Sequence, residues 1–322
     1  MKRLLALAAS RVMNDRLALL VLSTCAIVTP ACDAAPEPPP SLRGEYLGQT
    51  PPGTIPSVFA PGIVSTRASE LNAAFTPDGN EFYFTRRIDD RNTLMAMRRE
   101  DGVWIPPAVA GFSGTFSDVD PFITRDGRRL YFSSSRPLDG AGESKDADLW
   151  YVERVTGGGW SAPVHPVDLN TAEKDDYYTS FADDGTLYFS IFDSHASGGD
   201  IYRAQLMAGR FGPAELVSEG ISTEANEHDP FVAPDGSYLI FTSNRPGGHG
   251  SADLYISFTG PDGSWTEPVN MGEPVNSEGY DFCAMLSPDG KYLFFTRNID
   301  RNGDIYWVDA KIIEALKPDG IM

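Results

Sequence analysis

Hydrophobic and polar residues alternate in short blocks along this chain, and the same arrangement of blocks recurs five times. Each copy has a short apolar run, an Asp-Gly pair and an alternating aromatic run, and consecutive glycines of these pairs lie 48, 58, 51 and 54 positions apart. Pro and Asp suit the corners of a tight turn and Gly takes its left-handed position, so each copy predicts a hairpin between two strands. The five copies are Phe75-Thr-Pro-Asp-Gly79, Ile123-Thr-Arg-Asp-Gly127, Phe181-Ala-Asp-Asp-Gly185, Val232-Ala-Pro-Asp-Gly236 and Leu286-Ser-Pro-Asp-Gly290.

Two further strands are predicted in every repeat. A third run opens with Asp and two apolar or aromatic residues in four copies, and the first copy keeps the spacing without the Asp; these runs start at Thr93, Asp148, Asp200, Asp253 and Asp304. Proline-marked segments follow at 104–107, 160–163, 211–213 and 265–268. Because an outer edge strand can spare a hydrogen-bond donor, these prolines indicate that the fourth strand is an edge.

Repeats of this length with four antiparallel strands are typical of the blades of a β-propeller. The predicted fold is therefore all-β, a five-bladed β-propeller, with a six-bladed ring as the alternative. The fifth repeat lacks a fourth strand and ends in a helix-like tail at 310–317, which predicts a short C-terminal helix. A strand within 54–61, ahead of the first repeat, is expected to complete the last blade and so remove its open edge.

The repeated Pro-Asp-Gly with its aromatic strand, the Asp-Ile/Leu-Tyr runs and Ser243-Asn-Arg245 resemble a known repeat. It is the TolB-type, WD40-like propeller repeat (PD40) of bacterial envelope proteins. The resemblance covers roughly 54–309 and implies a propeller of the bacterial envelope, but its motifs define the repeat and no ligand. A separate N-terminal α/β domain like that of TolB is not evident, so a role in the Tol system does not follow from the resemblance.

The N-terminal segment has the pattern of an export signal. Met1-Lys-Arg precedes an apolar stretch at 17–28, which is too short to span a bilayer but suits the hydrophobic region of a signal peptide. We expect a signal peptide over 1–32, a Pro-rich linker over 33–53 and the propeller domain over 54–322. Ala31-Cys32 resembles a lipobox, in which Cys32 is the lipidated residue; ordinary cleavage near Ala31 or Ala34 is the alternative. Met13 is a second candidate start.

The expected location is therefore the bacterial periplasm or cell envelope, or the outer membrane if Cys32 carries a lipid. The formal net charge is −19, with 45 acidic against 26 basic residues. Nucleic-acid binding is excluded on these grounds, because it needs clustered Lys and Arg. The same charge disfavours contact with an anionic membrane surface, so a lipid anchor is the one membrane contact that the sequence predicts.

Aligning the repeats on the turn glycine shows two columns of residues at the start of the innermost strand. Nine positions before the glycine, every repeat has an acid: Glu70, Asp118, Asp176, Glu227 and Asp281. Seven positions before it are Asn72, Asp120, Tyr178, Asp229 and Cys283, on the same strand face if the period of two holds. Because innermost strands line the central channel, the acids of both columns are predicted to form a ligand site at its mouth.

Two interpretations of these acids remain open. Carboxylates are suitable ligands for Ca²⁺ or Mg²⁺, so a divalent cation or a cationic ligand is one candidate, and no other cofactor is indicated. In the other interpretation the acids hold the blades together by pairing with arginines that follow the second strand. The candidate arginines are Arg86, Arg136, Arg245 and Arg297. Strand alternation also predicts that His228 faces away from its neighbours Glu227 and Asp229, and that Cys283 is a packing residue.

The sequence favours a binding protein over an enzyme. No zinc, phosphate-loop or serine-nucleophile motif occurs, so no catalytic residue is assigned. The favoured function is a non-enzymatic, exported propeller that binds a protein, peptide or glycan partner through its loop face. The alternative is a carbohydrate-active enzyme, a glycoside hydrolase or lyase, that uses two carboxylates across the axis. The candidate pairs are Asp120 with Asp229, and Asp118 with Glu227.

Overall fold

The computed structural model describes residues 42–138, 142–166, 168–171, 174–193, 198–217 and 220–321. The predicted signal peptide, Cys32 and both candidate start residues lie outside these ranges. Within them, five antiparallel sheets follow one another along the chain in the order of the five repeats, which confirms the five-bladed β-propeller. In the described ranges, no helix has the length and apolar character needed to cross a membrane.

Each blade runs from an innermost strand near the axis to short strands at the outer edge. Strand β1 (Ser57–Val58) precedes the first blade, which contains β2 (Glu70–Phe75), β3 (Glu81–Ile88), β4 (Arg91–Glu100), β5 (Val103–Trp104) and β6 (Ala108–Val109). The second contains β7 (Asp118–Ile123), β8 (Arg129–Ser134) and β9 (Asp148–Glu153). The third contains β10 (Asp175–Phe181), β11 (Thr186–Phe192), β12 (Gly199–Met207), β13 (Arg210–Phe211) and β14 (Glu215–Leu216). The fourth contains β15 (Glu227–Val232), β16 (Tyr238–Ser243), β17 (Asp253–Phe258) and β18 (Val269–Asn270), and the fifth β19 (Tyr280–Leu286), β20 (Tyr292–Ile299) and β21 (Asn302–Asp309).

The Asp-Gly turns join the two innermost strands of each blade, as the sequence predicts. In the first blade Asp78 Oδ1 accepts hydrogen bonds from the Thr76 hydroxyl (2.6 Å) and the Asn80 amide (3.0 Å), which fixes the corner. Gly79 has a φ of 64°, in the left-handed region that only Gly adopts without strain. These turns all lie on the same side of the ring, which we call the turn face.

The outer strand is interrupted at its prolines. In the first blade β5 and β6 both pair with β4, and Pro106 and Pro107 separate them. In the third blade Pro213 separates β13 from β14 in the same way. The proline segments are thus breaks between two short pairings, because proline has no N–H to donate to the ladder.

The N-terminal strand closes the ring. Strand β1 pairs with β21, with Ser57 opposite Trp307, and so completes the fifth blade as predicted. Phe59, which follows β1, is fully buried, and its ring lies 5.1 Å from that of Phe294 and 5.2 Å from that of Trp307. The C-terminal tail forms one short helix, α1 (Lys311–Glu314).

Residues 42–48, which we call the strap, pack against the first and last blades on the turn face. They include a 3₁₀ turn at Glu45–Gly48. Trp104 Nε1 donates to the Gly44 carbonyl (2.8 Å), the Tyr46 hydroxyl donates to Asp289 Oδ1 (2.6 Å), and Leu47 is fully buried. The described part of the expected linker therefore contacts the propeller, and the chain enters the ring from the turn face.

Candidate functional site at the channel mouth

The innermost strands of all five blades break their pairing register at the same place. A bulge interrupts the ladder there, and the bulged residue has φ between 51° and 57° in every blade. The five residues are those seven positions before the turn glycine: Asn72, Asp120, Tyr178, Asp229 and Cys283. Positive φ is uncommon for residues other than Gly, and bulges re-aim side chains. The bulges therefore give this column a different environment from the acids two positions earlier.

Those earlier acids are fully buried inside their own blades. Each of four carboxylates binds an arginine that lies in, or just after, the neighbouring strand of the same blade, at 2.7, 2.7, 3.2 and 2.7 Å. The pairs are Glu70 with Arg86, Asp118 with Arg136, Glu227 with Arg245 and Asp281 with Arg297. The loop before each strand donates as well, as the Thr66 amide (2.9 Å) and hydroxyl (2.6 Å) do to Glu70. These four carboxylates are thus satisfied by their own blade, and a ligand role for them stays a prediction.

Asp176 is the exception in this column, because no arginine contacts it among the described residues. Its carboxylate accepts the Thr171 amide (2.8 Å) and lies 3.1 Å from the Thr171 hydroxyl. Burial raises the pKa of Asp176 to about 7, and the negative charges of Asp148 and Asp146 act in the same direction. Blade three therefore holds a carboxyl group that is partly protonated near neutral pH.

The side chains of the bulged residues meet at the axis. Cys283 Sγ lies 3.9 Å from Asp120 Oδ1 and 3.4 Å from Asp229 Oδ2, although the three residues belong to different blades. The Tyr178 hydroxyl donates to the Ala284 carbonyl (2.5 Å), so this side chain joins blade three to blade five. The axis is thus occupied by side chains at this level.

We call the side chains of the five bulged residues the axial cluster. Their buried environment changes the pKa values of several of them. Burial, and then the charge of Asp229, raise the pKa of Asp120 well above its ordinary value. Burial also raises the pKa of the Cys283 thiol, which keeps it protonated and a poor nucleophile. Asp120 and Asp229 are 5% and 6% exposed. Within the described ranges, no Lys or Arg forms an ion pair with either of them, in contrast to the four arginine-paired acids.

His228 connects Asp229 to the surface. Its Nδ1 lies 3.1 Å from Asp229 Oδ2, and its Nε2 lies 2.5 Å from the Tyr280 hydroxyl. The expectation that His228 faces away from Asp229 was wrong, because the bulge at Asp229 breaks the strand alternation on which it depended. In the part of the chain that the structure describes, no three His, Cys, Asp or Glu side chains are placed to hold a metal ion.

Five aromatic side chains lie in a continuous series next to the axial cluster, which they contact through His228. Successive ring centroids are 5.6, 5.6, 5.8 and 5.0 Å apart, and the series runs through blades three, four and five. Four of the rings are partly exposed, and His228 is buried. We call this series the aromatic rim: Tyr177, Phe192, His228, Tyr280 and Phe282.

Sequence reasoning did not single out the rim as a site. Three of its members stand eight positions before the turn glycine, between the two polar columns: Tyr177, His228 and Phe282. These three aromatic residues are therefore visible in the same alignment on the turn glycine that shows the two polar columns. Phe192 and Tyr280 join them only through the folded ring.

Comparison with known proteins supports the fold. No protein-family model matches the sequence, and no curated protein matches it. Among solved structures, an endo-arabinase from Bacteroides thetaiotaomicron VPI-5482 is similar with a TM-score of 0.53 and 14% identity, over 80% of this chain and 96% of that one. A putative TolB from Agrobacterium tumefaciens gives 0.49 and 17%, over 76% of this chain and 78% of that one. TolB from Acinetobacter baumannii gives 0.48 and 14%, over 76% of this chain and 55% of that one.

TolB proteins are therefore among the structural neighbours of this propeller, and so is an enzyme. At identities this low the similarity establishes the fold alone. The assignment of the repeats to PD40 stays a prediction from their sequence.

Proposed function

We propose that this chain is an exported, non-enzymatic propeller that binds a protein, peptide or glycan partner at its channel mouth. The observation that carries the proposal is the aromatic rim, in which partly exposed rings form a series with His228, and His228 contacts the buried carboxyl group of Asp229. Tyr rings combine an apolar body with a polar tip, and such residues are enriched where proteins bind partners. The rim is also the place where three blades contribute to one surface.

The route of the chain supports the same surface. The strap enters on the turn face, whereas the rim lies at the start of the innermost strands, which is the opposite end of each blade. The strap itself therefore does not cover the mouth. The proposed location, the periplasm or cell envelope with Cys32 as the lipidated residue, is supported by the leader pattern at 1–32.

The experiment compares ligands of the purified protein with and without an intact rim. Peptide and glycan arrays would provide ligands, and binding constants would be measured for Tyr280→Ala and Phe282→Ala. We expect each change to weaken binding by about tenfold or more, because a central aromatic contact is worth about 1–3 kcal/mol. Phe211→Ala is the matched control, since Phe211 is a partly exposed ring on β13 at the outer edge of blade three.

Two results would contradict the proposal. One is an array on which nothing binds the purified protein. The other is a ligand whose affinity is the same for the parent protein and for both rim variants, because its site would then lie elsewhere.

A second function is favoured by one observation, the two buried carboxyl groups of Asp120 and Asp229 that meet at the axis around Cys283 Sγ. Asp120 has a raised pKa beside Asp229, and such pairs supply the acid and the base or nucleophile of glycoside hydrolases. The other candidate pair fits less well, because Asp118 and Glu227 already bind arginines. Release of reducing ends from a panel of polysaccharides, abolished in Asp120→Asn and Asp229→Asn, would establish this function over the first.

A further inference from the structure

We infer that the partner inserts an arginine side chain into the channel mouth, where its guanidinium group lies against the aromatic rim above Asp229 and Asp120. The inference rests on the proposed function, because it names the chemical group that the same site takes. It follows from three observations: the surplus of hydrogen-bond acceptors at the axis, the internal use of arginine elsewhere in this ring, and the overall charge.

The axial cluster has more acceptors than donors. Asp120 and Asp229 together offer four carboxyl oxygens, and Asn72 Oδ1 is a buried acceptor with no hydrogen-bond partner among the described residues. The donors are the Cys283 thiol, the Asn72 amide, His228 Nδ1 and, while it is protonated, the Asp120 carboxyl group itself, which together are fewer than the lone pairs of these oxygens. Buried acceptors without donors are costly, so a group that brings several N–H donors would be favoured here. A guanidinium group brings five and has no acceptor.

The propeller already pairs buried carboxylates with guanidinium groups of its own arginines. In four blades a guanidinium group binds the buried acid of the innermost strand and also lies over an aromatic ring of the same blade. The distances from Cζ to the ring centroid are 5.2 Å for Arg86 over Phe84, 4.9 Å for Arg136 over Phe132, 5.0 Å for Arg245 over Tyr255 and 4.8 Å for Arg297 over Tyr306. The mouth has the same combination of carboxylates and aromatic rings, and no arginine of the described residues forms an ion pair with Asp120 or Asp229.

Arginine fits this combination better than lysine does. Its planar group stacks on aromatic faces, donates in two directions at once and is less strongly hydrated than an ammonium group. The net charge of −19 would also attract a cationic partner from a distance and speed its association.

Binding should be coupled to proton release. The pKa of Asp120 is raised by burial and by Asp229, so an arriving positive charge would favour its ionised form. The other titratable groups that face Asp120 and Asp229 are Cys283, His228 and three tyrosines, Tyr177, Tyr178 and Tyr280. Burial raises the pKa values of the thiol and of the tyrosines, so none of these four groups is expected to supply the proton near neutral pH.

The test uses two blocked tripeptides that differ only in charge, acetyl-Gly-Arg-Gly-amide and acetyl-Gly-citrulline-Gly-amide. Titration calorimetry with the purified protein, in buffers of different ionisation enthalpy, measures affinity and proton release together. We expect the arginine peptide to bind about tenfold or more tightly than the citrulline peptide, and to release protons. Asp229→Asn should remove most of this preference. Asp126→Asn, which removes an exposed charge on the turn face, should leave it unchanged.

Every other result overturns the inference. If both peptides bind equally, or neither binds, the mouth does not select an arginine. The proposed function still stands in either case if array ligands depend on Tyr280 and Phe282, so the two failures are distinguishable. Arginine selectivity that persists in Asp229→Asn would place the cation on another surface. Thermal unfolding of each unliganded variant verifies that it is folded before binding is compared.

Discussion

Replacing Asp176 by Asn should stabilise this protein at neutral and alkaline pH, although it changes a fully buried residue in a repeated column. The other acids in this column bind an arginine, and Asp176 does not within the described ranges. Asn can accept the Thr171 amide with its oxygen in the place of Oδ2, and donate to the Thr171 hydroxyl with its nitrogen in the place of Oδ1, which lies 3.2 Å from that hydroxyl. The substitution therefore keeps the contacts and removes the charge that burial disfavours.

The size of the effect follows from the pKa. Burial raises the pKa of Asp176 from 3.8 to about 7, and one pKa unit corresponds to about 1.4 kcal/mol. The full difference is worth roughly 4 kcal/mol as an upper limit, and local relaxation and water penetration reduce it. We expect Asp176→Asn to unfold with a free energy about 2 kcal/mol higher than that of the parent protein at about pH 8.

The pH dependence has a definite sign. Because the folded-state pKa of Asp176 lies above its unfolded value, the carboxyl group stabilises the fold fully below about pH 4, and this contribution is lost as the pH rises to about 7. Urea unfolding of both proteins between about pH 5 and about pH 8 should show the parent losing stability relative to the variant. The difference between the two proteins isolates this residue from every other group that titrates in the same range.

Asp118→Asn is the matched control. Asp118 occupies the equivalent position in blade two, where its carboxylate binds Arg136 (2.7 Å), and Arg136 is only 7% exposed. Loss of the carboxylate leaves a buried guanidinium group without its counter-ion, so we expect a destabilisation of about 3 kcal/mol across the range from about pH 5 to about pH 8 in which the two proteins are compared. The reasoning is refuted if Asp176→Asn is destabilised like the control, or if its stability has the same pH dependence as that of the parent.

Four further predictions concern the strap, the joints between blades and a buried hydroxyl group of the first blade. Tyr46→Phe should lower the free energy of unfolding by about 0.5–1 kcal/mol near neutral pH, as measured by chemical unfolding. Burial opposes the ionisation of Asp289, but hydrogen bonds, including the one from the Tyr46 hydroxyl, lower the pKa of Asp289 to about 2. The cost of the substitution should therefore disappear as the pH falls from about 4 to about 2. Trp104→Phe should lower the thermal midpoint, with a loss of about 1–3 kcal/mol, because the Gly44 carbonyl loses its indole donor and the strap loses packing. Ser180→Ala should cost about 2–3 kcal/mol in urea unfolding, because its hydroxyl bridges the Pro230 carbonyl (2.6 Å) and the Val232 amide (3.0 Å) of the next blade. Thr85→Val should stay within about 0.5 kcal/mol of the parent, since Thr85 Oγ1 is a buried hydroxyl with no partner among the described residues.

The fold could be predicted because each blade repeats the same local rules. An Asp-Gly turn, an aromatic strand and an edge strand with proline specify one small sheet, and five copies of that sheet require a ring. Closure by β1 could also be predicted, because the last repeat lacks one strand and a spare strand precedes the first. The packing of the strap could not, since residues 42–48 lie outside the repeat pattern.

The geometry of the site was less accessible, because a bulge leaves little trace in an alternating pattern. Reading the innermost strands with a period of two places both polar columns on one face, and the positive φ at the second column separates them. Proline follows the bulged residue in two blades, at Pro121 and Pro230, and a proline inside a predicted strand is a signal for a bulge. This signal was available in the sequence.

The two columns differ in role. The column nearer the loop holds each blade together, and the column at the axis contains the groups that we propose for binding. A joint that recurs in every blade needs the same residues each time, and the column nearer the loop contains five acids, four of which bind an arginine. The axis occurs once, and its column contains an amide, two carboxyl groups, a phenol and a thiol. Apolar side chains would fill that space at lower cost, because burying a carboxyl group without a cation is unfavourable by several kcal/mol. Asp120 and Asp229 are therefore the residues of this ring whose placement packing explains least, and a cationic partner is the simplest reason for them.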